Sequence, residues 1–240
     1  MEEKELEKAY DEASNNYFIS RTKDVGITGF QNREMEQPNM FKLVPSNLKG
    51  KKLLDVGCGP GIHIKKYTER GAECTGIDLS SEMIKLAQKH CPTAHFIKGS
   101  IYKLKFDDGS FDLVTSSFVL DHVKELDKGI AEVKRVLKPK GLFIFSIPHP
   151  IVYMFRNSEK GVFIPSHDYF DHEILYYNIA QTGAKFPDFP RTMEDYIQSC
   201  LKQGFTLMDF VENKPKQEWK KQDPMFVKIP YLCFQVWRKK

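Results

Sequence analysis

The sequence predicts an α/β fold, a doubly wound parallel sheet with helices on both faces. Short apolar, β-branched stretches alternate with helical patterns from Lys52 to Ile147. The first of them, Leu53-Leu-Asp-Val56, runs straight into Gly57-Cys-Gly-Pro-Gly61 and then into a helical pattern. That is a buried strand, a glycine-rich turn and a helix N-terminus, the construction that holds a nucleotide-like ligand. Asp78 closes the next stretch, roughly 20 residues beyond the turn, where dinucleotide folds place an acidic residue for a ribose.

Composition sets outer limits. A chain of 240 residues is long enough for one large domain. The net charge of +4 is too small to imply nucleic acid by itself. Five cysteines at 58, 74, 91, 200 and 233 form no CxxC pair and no even framework, which fits free thiols in a reducing compartment. The start, Met-Glu-Glu-Lys-Glu, lacks the apolar centre of a signal peptide, and no apolar run approaches the roughly 20 residues of a membrane helix. The expectation is a soluble cytoplasmic protein without a membrane anchor.

Taken in order, residues 3–20 carry Leu6, Ala9, Tyr10, Ala13, Tyr17 and Phe18 at helical spacing and predict an amphipathic helix. Residues 21–45 read as irregular, because Gly26, Gly29, Pro38 and Pro45 break long elements, with a short helix near Asn39–Val44. Strand one is Lys52–Val56. A helix from Ile62 to Arg70 stops at Gly71. Glu73–Ile77 is strand two, ending in Asp78, and Ser80 caps the helix that contains Met83. His95–Lys98 is strand three. The turn Asp107–Ser110 announces strand four from Phe111. A helix near Lys124–Leu137 ends at Lys138-Pro-Lys-Gly141, and Leu142–Ile147 is strand five. Residues 148–190 then show no clear period. Regular structure resumes with a helix at Thr192–Lys202 and two strands, Phe205–Glu212 and Tyr231–Arg238.

The glycine spacing narrows the ligand. A dinucleotide loop reads G-x-G-x-x-G, yet Ile62 stands where its third glycine belongs, and no Gly-Lys-Ser/Thr of a P-loop follows. What remains, Asp55-x-Gly57-x-Gly59-x-Gly61, resembles motif I of the class I S-adenosylmethionine-dependent methyltransferases. Gly71-Ala-Glu-Cys-Thr-Gly-Ile-Asp-Leu-Ser-Ser-Glu-Met83 resembles that family's second-strand motif. Phe106 to Val123 resembles its fourth-strand motif, and Glu132 to Gly141 its approach to strand five.

The resemblance implies a Rossmann-like doubly wound seven-stranded sheet of order 3-2-1-4-5-7-6, strand 7 antiparallel. It also implies a single methyltransferase domain over 1–240: an N-terminal helical cap (1–45), a cofactor-binding core (46–147), a substrate lid inserted after strand five (148–190), and the C-terminal helix and strands (191–240). The implied cofactor is S-adenosylmethionine, with S-adenosylhomocysteine as product. By resemblance, the backbone of Gly57, Cys58, Gly59 and Gly61 approaches the ligand closely. Asp55 approaches its amino group, Asp78 accepts the ribose hydroxyls, and Leu79 and Met83 sandwich the adenine. Ser100 and Ile101 meet the adenine edge, Ser117 offers its carbonyl to the methionine end, and Tyr17 closes over the cofactor. Many relatives carry Asp where Ser100 stands, so a charged contact to the adenine is missing here. His122 occupies the family's common histidine position and is read as packing.

For the acceptor, the aromatic insertion (Tyr153, Phe155, Phe163, Tyr169, Phe170, Tyr176, Tyr177, Phe186, Phe189) suits a pocket for a small apolar, aromatic or cationic molecule. Tyr153, Tyr169 and Arg191 are its candidate substrate contacts. Pro148-His149-Pro150 follows strand five, which makes His149 the candidate general base. The segment Asn32–Pro38 resembles the approach to motif I in bacterial and archaeal members of the same branch. His167 to His172 lacks the geometry of a metal site, and no metal is expected. The run Lys214–Lys221 is interrupted in charge and offers only Trp219 for stacking, so a solvated tip is favoured over a nucleic-acid contact. The function expected is methyl transfer to a small molecule. The alternatives are an RNA- or protein-directed methyltransferase and a non-catalytic cofactor-binding protein.

Overall fold

A computed structural model describes residues 3–23, 26–155, 167–178 and 185–240. Its sheet has the order β3-β2-β1-β4-β5-β9-β8. The strands are β1 Lys52–Val56, β2 Glu73–Asp78, β3 His95–Lys98, β4 Phe111–Ser117, β5 Leu137–Pro148, β8 Phe205–Glu212 and β9 Leu232–Lys239. β1 to β5 are parallel, and β9 runs antiparallel to both β5 and β8. Numbered along the sheet alone, this is the expected 3-2-1-4-5-7-6. The order reverses between β1 and β4, so the crevice beyond their C-terminal ends is where such a sheet binds a ligand.

Both faces of the sheet are covered, and neighbouring residues alternate between two cores. Leu54, Val56, Val114, Phe143 and Phe145 pack on one side with α6 (Leu126–Val136) and α7 (Met193–Lys202). Leu53, Leu113, Ile144 and Phe234 pack on the other with α4 (Ile62–Glu69) and α5 (Ser81–His90). The helix ends follow their capping residues. Ser80 Oγ accepts from Met83 N at α5, and Thr192 with Asp195 forms a capping box at α7.

The sequence-based reading needs correction where it saw irregular chain. Residues 26–43 are helical: α2 (Gly26–Phe30), a π-helix (Gln31–Glu36) and α3 (Gln37–Leu43). Gly29 does not break this stretch; it lets the crossing helix α1 (Glu3–Thr22) come close. A Cβ there would lie 2.4 Å from the carbonyl oxygen of Ser20. Pro38 sits in the first turn of α3, where its missing N–H costs nothing. Gly29→Ala is therefore expected to lower stability by about 1–3 kcal/mol, the usual cost of overpacking. A melting curve unchanged from wild type would show that the crossing has slack.

β5 also starts earlier than expected. It pairs from Phe111↔Leu137, and the next pair, Leu113↔Leu142, leaves extra residues in β5, where a left-handed Lys140 (φ 63°) takes up the irregularity. The described parts of the 148–190 insertion hold a 3₁₀ segment, Pro150–Phe155, and a separate hairpin, β6 (Leu175–Asn178) with β7 (Lys185–Asp188). Phe163 lies outside the described residues. Trp219, the one stacking ring of the lysine-rich link, is buried edge-on against Phe30 and is not free to stack on a base.

Candidate active site

At the reversal point lies a cavity of about 550 Å³. The ends of β1, β2 and β4 form its floor, α1 its roof, and Pro187 and Phe189, just past the hairpin, part of its wall. The glycine turn shapes the floor. Gly57 has φ 70°, and a Cβ on it would stand 2.2 Å from Val119 Cγ2. Val119 is brought there by Phe118, itself left-handed at φ 54°. Gly59 has φ 50°, and the Tyr17 ring is its nearest neighbour across the cavity.

Asp78 clasps this turn. Its Oδ2 accepts from Gly59 N at 2.8 Å and its Oδ1 from Ser80 N at 2.9 Å. Burial raises the Asp78 carboxyl to about 6, against the two N–H donors that favour the ionised form. Leu79, Met83 and Ile101 line the adjoining wall, as does Ser117, whose Oγ is buried without a partner among the described residues.

Four of the expected cofactor residues stand behind the wall instead of on it. Cys58 is buried in the core. Gly61 is a packing glycine, whose Cβ would press on Phe96 and Ala87. Ser100 Oγ is held by Glu3 of α1. Asp55 is buried and accepts Thr115 Oγ1 at 2.7 Å; burial raises its carboxyl to about 6, with His63 and Thr115 opposing.

Asp55 belongs to a buried polar network that local sequence patterns do not reveal. Glu36, inside the π-helix, accepts Ser146 Oγ–H at 2.9 Å and lies 2.9 Å from His63 Nε2. Burial alone would raise the Glu36 carboxyl, but His63 and Arg21 outweigh it and hold it below its ordinary value. Arg21 donates to Asn32 Oδ1 and to the Tyr17 hydroxyl, and its Nε is buried without a partner among the described residues. Arg21, Glu36 and Asp55 thus act on one another through their charges beneath the glycine turn.

The roof is tied down by a row of acids spaced four residues apart on α1. Glu3 meets Ser100, Glu7 meets Lys98, and Asp11 accepts Ser80 Oγ at 2.6 Å and Glu82 N at 3.1 Å. The adjoining face of that helix turns Leu6, Tyr10 and Tyr17 into the cavity.

Beside the glycine turn the wall carries His122. Its Nδ1 lies 2.7 Å from Pro187 O and 2.9 Å from Asp188 Oδ1, while Nε2 is 3.7 Å from Asp121 Oδ2. These three side chains are buried and spaced like metal ligands. A carbonyl oxygen only accepts, however, so Nδ1 carries a proton and has no lone pair for an ion. The ring could then reach an ion only through Nε2. No residue of the His167–His172 run joins this cluster.

His149 takes a different place. It does not line the cavity; its Nε2 is 3.1 Å from Glu212 and its Nδ1 accepts from Ile151 N at 3.2 Å. Arg191 donates to the carbonyls of Leu120, Phe189, Val123 and Lys124, bracing the loop that carries His122. The Tyr169 hydroxyl accepts from Met193 N at 3.0 Å, and the Tyr153 hydroxyl lies 3.5 Å from Asp188 Oδ2. Tyr153, Tyr169 and Arg191 share a minor cleft of about 10 Å³, barely room for one water.

Residues 54–145 match the family model of the methyltransferase domain. An uncharacterised protein of Haemophilus influenzae is 37% identical over 138 residues, 54% of each chain. The demethylmenaquinone methyltransferase of Renibacterium salmoninarum is 39% identical over 108 residues, 45% of this chain and 46% of that one. The chain thus spans about half the length of the curated relatives it matches. Among solved structures, a provisionally assigned S-adenosylmethionine-dependent methyltransferase of Listeria monocytogenes superposes with a TM-score of 0.74 at 26% identity, over 85% of this chain and 96% of that one. An S-adenosylmethionine-dependent methyltransferase of Mesorhizobium loti gives 0.73 at 24% identity, over 85% and 97%.

Proposed function

We propose that this chain is a class I S-adenosylmethionine-dependent methyltransferase, as the methyltransferase-domain match and the similar solved structures support, and that it moves a methyl group to a small-molecule acceptor by in-line displacement. The observation that carries the reading is the Asp78 clasp on the Gly57–Gly61 turn at the edge of a cavity of about 550 Å³. That volume is in the range of small-molecule sites, and its largely apolar walls suit a small molecule better than a polymer. Relatives named as demethylmenaquinone methyltransferase, malonyl-[acyl-carrier protein] O-methyltransferase and ubiquinone biosynthesis O-methyltransferase support a metabolic acceptor.

The residues fit the cofactor from end to end. Asp78 keeps lone pairs for two ribose hydroxyls beyond the N–H groups it already holds. Leu79, Met83 and Ile101 offer apolar faces to the adenine. Asp55 and Arg21, buried behind the wall, set the charge beneath the methionine end, and Tyr17 covers the turn. When bound, S-adenosylmethionine supplies an electrophilic methyl on a sulfonium. The protein's part is to align the acceptor and exclude water. We assign the covering of the acceptor to α1 together with the hairpin, the described part of the proposed lid.

The charge pattern fixes the pH dependence of binding. Burial puts both Asp55 and Asp78 near 6; ionised Asp78 accepts the two hydroxyls, and ionised Asp55 favours an ammonium from behind the wall. Affinity for S-adenosylmethionine is therefore expected to rise from pH 5 to pH 7.5, by roughly tenfold for each carboxylate involved. Calorimetry across that range tests both the cofactor and its site. A protein that binds neither S-adenosylmethionine nor S-adenosylhomocysteine would refute the proposed function, and a flat pH profile would refute the roles of the two aspartates.

A further inference from the structure

We infer that Glu3, on the roof helix α1, accepts from the amino group of the cofactor's adenine and makes the site selective for a 6-aminopurine. The carboxylate contact that position 100 lacks thus arrives from above, from a residue 97 positions earlier in the chain. The inference rests on the methyltransferase reading above, which supplies the cofactor.

The order of the sheet sets where each part of that ligand lies. The glycine turn and Ser117 stand at the ends of β1 and β4, Asp78 at the end of β2, and Gly99, Ile101 and Tyr102 just past β3, the edge strand. Neighbouring strands are roughly 4.8 Å apart, so a ligand with its methionine end at β1 and its ribose at β2 carries its base out over β3. Leu79, Met83 and Ile101 take the faces of the base. Its polar edge is left with the Gly99–Tyr102 segment and, from the roof, Glu3.

The hydrogen-bonding inventory at that edge singles out Glu3. Adenine presents there an amino group with hydrogens to donate and ring nitrogens that only accept. The Ser100 hydroxyl is already engaged: it donates to Glu3 Oε1 and accepts from Tyr102 N at 3.1 Å. Glu3 is engaged through one oxygen alone. Its Oε2 has no partner among the described residues, and the side chain lines the cavity. Glu125, the other acid on this rim, gives its Oε1 to Lys128 at 2.5 Å, and Lys98 is taken by Glu7. An ionised carboxylate accepts and never donates, so it welcomes an amino group and repels the carbonyl oxygen of a 6-oxopurine.

Glu3 is in place before any ligand arrives. About one and two turns farther along α1, Glu7 holds Lys98, and Asp11 holds Ser80 Oγ and Glu82 N. These ties fix the helix, so little freedom remains to be lost when the base binds. The same helix turns Leu6 and Tyr10 into the cavity, and Tyr10 packs on Phe186 of the hairpin at 4.6 Å. Reading the adenine and roofing the cavity are therefore tasks of one element.

The test titrates the full chain by calorimetry with S-adenosylhomocysteine and with S-inosylhomocysteine, which carries a carbonyl oxygen where adenine has its amino group. The wild type is expected to prefer the amino compound by roughly thirtyfold, and Glu3→Ala to narrow that preference by about tenfold, the usual weight of one charge-assisted hydrogen bond. Glu3 is exposed in the first turn of α1, so this variant should melt within a few degrees of wild type. Glu7→Ala separates recognition from tying: it releases the same helix from Lys98, lowers both affinities alike and keeps the preference. Ser100→Asp placed in the Glu3→Ala chain returns a carboxylate from below and should restore most of the preference. A wild type that binds both compounds equally, a preference intact in Glu3→Ala, or a preference lost as fully in Glu7→Ala would each overturn the inference and leave the proposed function standing. A wild type that binds neither compound refutes the proposed function, and this inference falls with it.

Discussion

Asp78→Ala is expected to weaken binding of S-adenosylhomocysteine by at least a hundredfold, while the chain still unfolds cooperatively. In the free protein each oxygen of this carboxylate holds one backbone N–H, Gly59 at 2.8 Å and Ser80 at 2.9 Å, which leaves further lone pairs for a ribose diol. A hydrogen bond to a charged group contributes about 1.5–3 kcal/mol, so losing two weakens binding by two or more powers of ten. The same change frees the Gly59 N–H and lets the turn drift from the geometry that Gly57 and Val119 define. Asp78→Asn separates the two effects. An amide keeps one acceptor oxygen and turns its NH₂ on one of the two N–H groups, so it should bind more weakly than wild type but better than alanine. Ser80 still caps α5 through Met83 N at 3.0 Å, so the melting temperature should fall only modestly in both. Equal affinity of Asp78→Ala and wild type by calorimetry would remove Asp78 from the site.

What the sequence made legible was local. Strand, glycine turn and helix follow one another within Leu53–Glu69, and Asp78 ends the very next strand, so pattern and spacing alone locate the floor of the cavity. Tyr17 and Tyr10 already sat on the helical stripe of α1. The other parts of the wall come from far along the chain. His122 meets Asp188 across 66 positions, and Glu36 meets Ser146 across 110. No periodicity encodes such meetings; they depend on how the insertion and the N-terminal segment return to the sheet. His149 looked like a base because it follows strand five, and only the closing of β8 on β9 brings Glu212 beside it instead of the cavity. Residues 26–43 were misread for a related reason. Glycine and proline break an isolated helix, but here Gly29 answers to the backbone of α1 and Pro38 to a helix start.

Glu36→Ala is expected to be the most destabilising single change in the N-terminal segment, costing about 3–5 kcal/mol, a large part of the roughly 5–15 kcal/mol that holds a typical domain folded. The side chain is fully buried and accepts from Ser146 while pairing with His63 at 2.9 Å. Alanine leaves His63, itself 2% exposed, and Ser146 facing a void. Glutamine fills the space without the charge and should cost less. Removing both partners tests the cause: with Phe41 at 5.3 Å and Tyr67 at 6.1 Å from the imidazole, phenylalanine at position 63 enters an aromatic setting. Glu36→Leu combined with His63→Phe should therefore recover much of the loss, a coupling that urea denaturation of the four proteins measures directly. The pH dependence carries the sign. His63 and Arg21 hold the Glu36 carboxyl below its ordinary 4.5, so its stabilisation is present above that value and disappears as pH falls through the lower, folded-state value. The gap between wild type and Glu36→Gln should accordingly be full at pH 7 and narrow below pH 4.5. A constant gap would mean that the space Glu36 fills matters and its charge does not. A cost for Glu36→Ala under about 1 kcal/mol would mean that the π-helix and α3 dock by Met35 and Met40 alone, and that the network beneath the glycine turn tunes the cavity without holding the cap to the sheet.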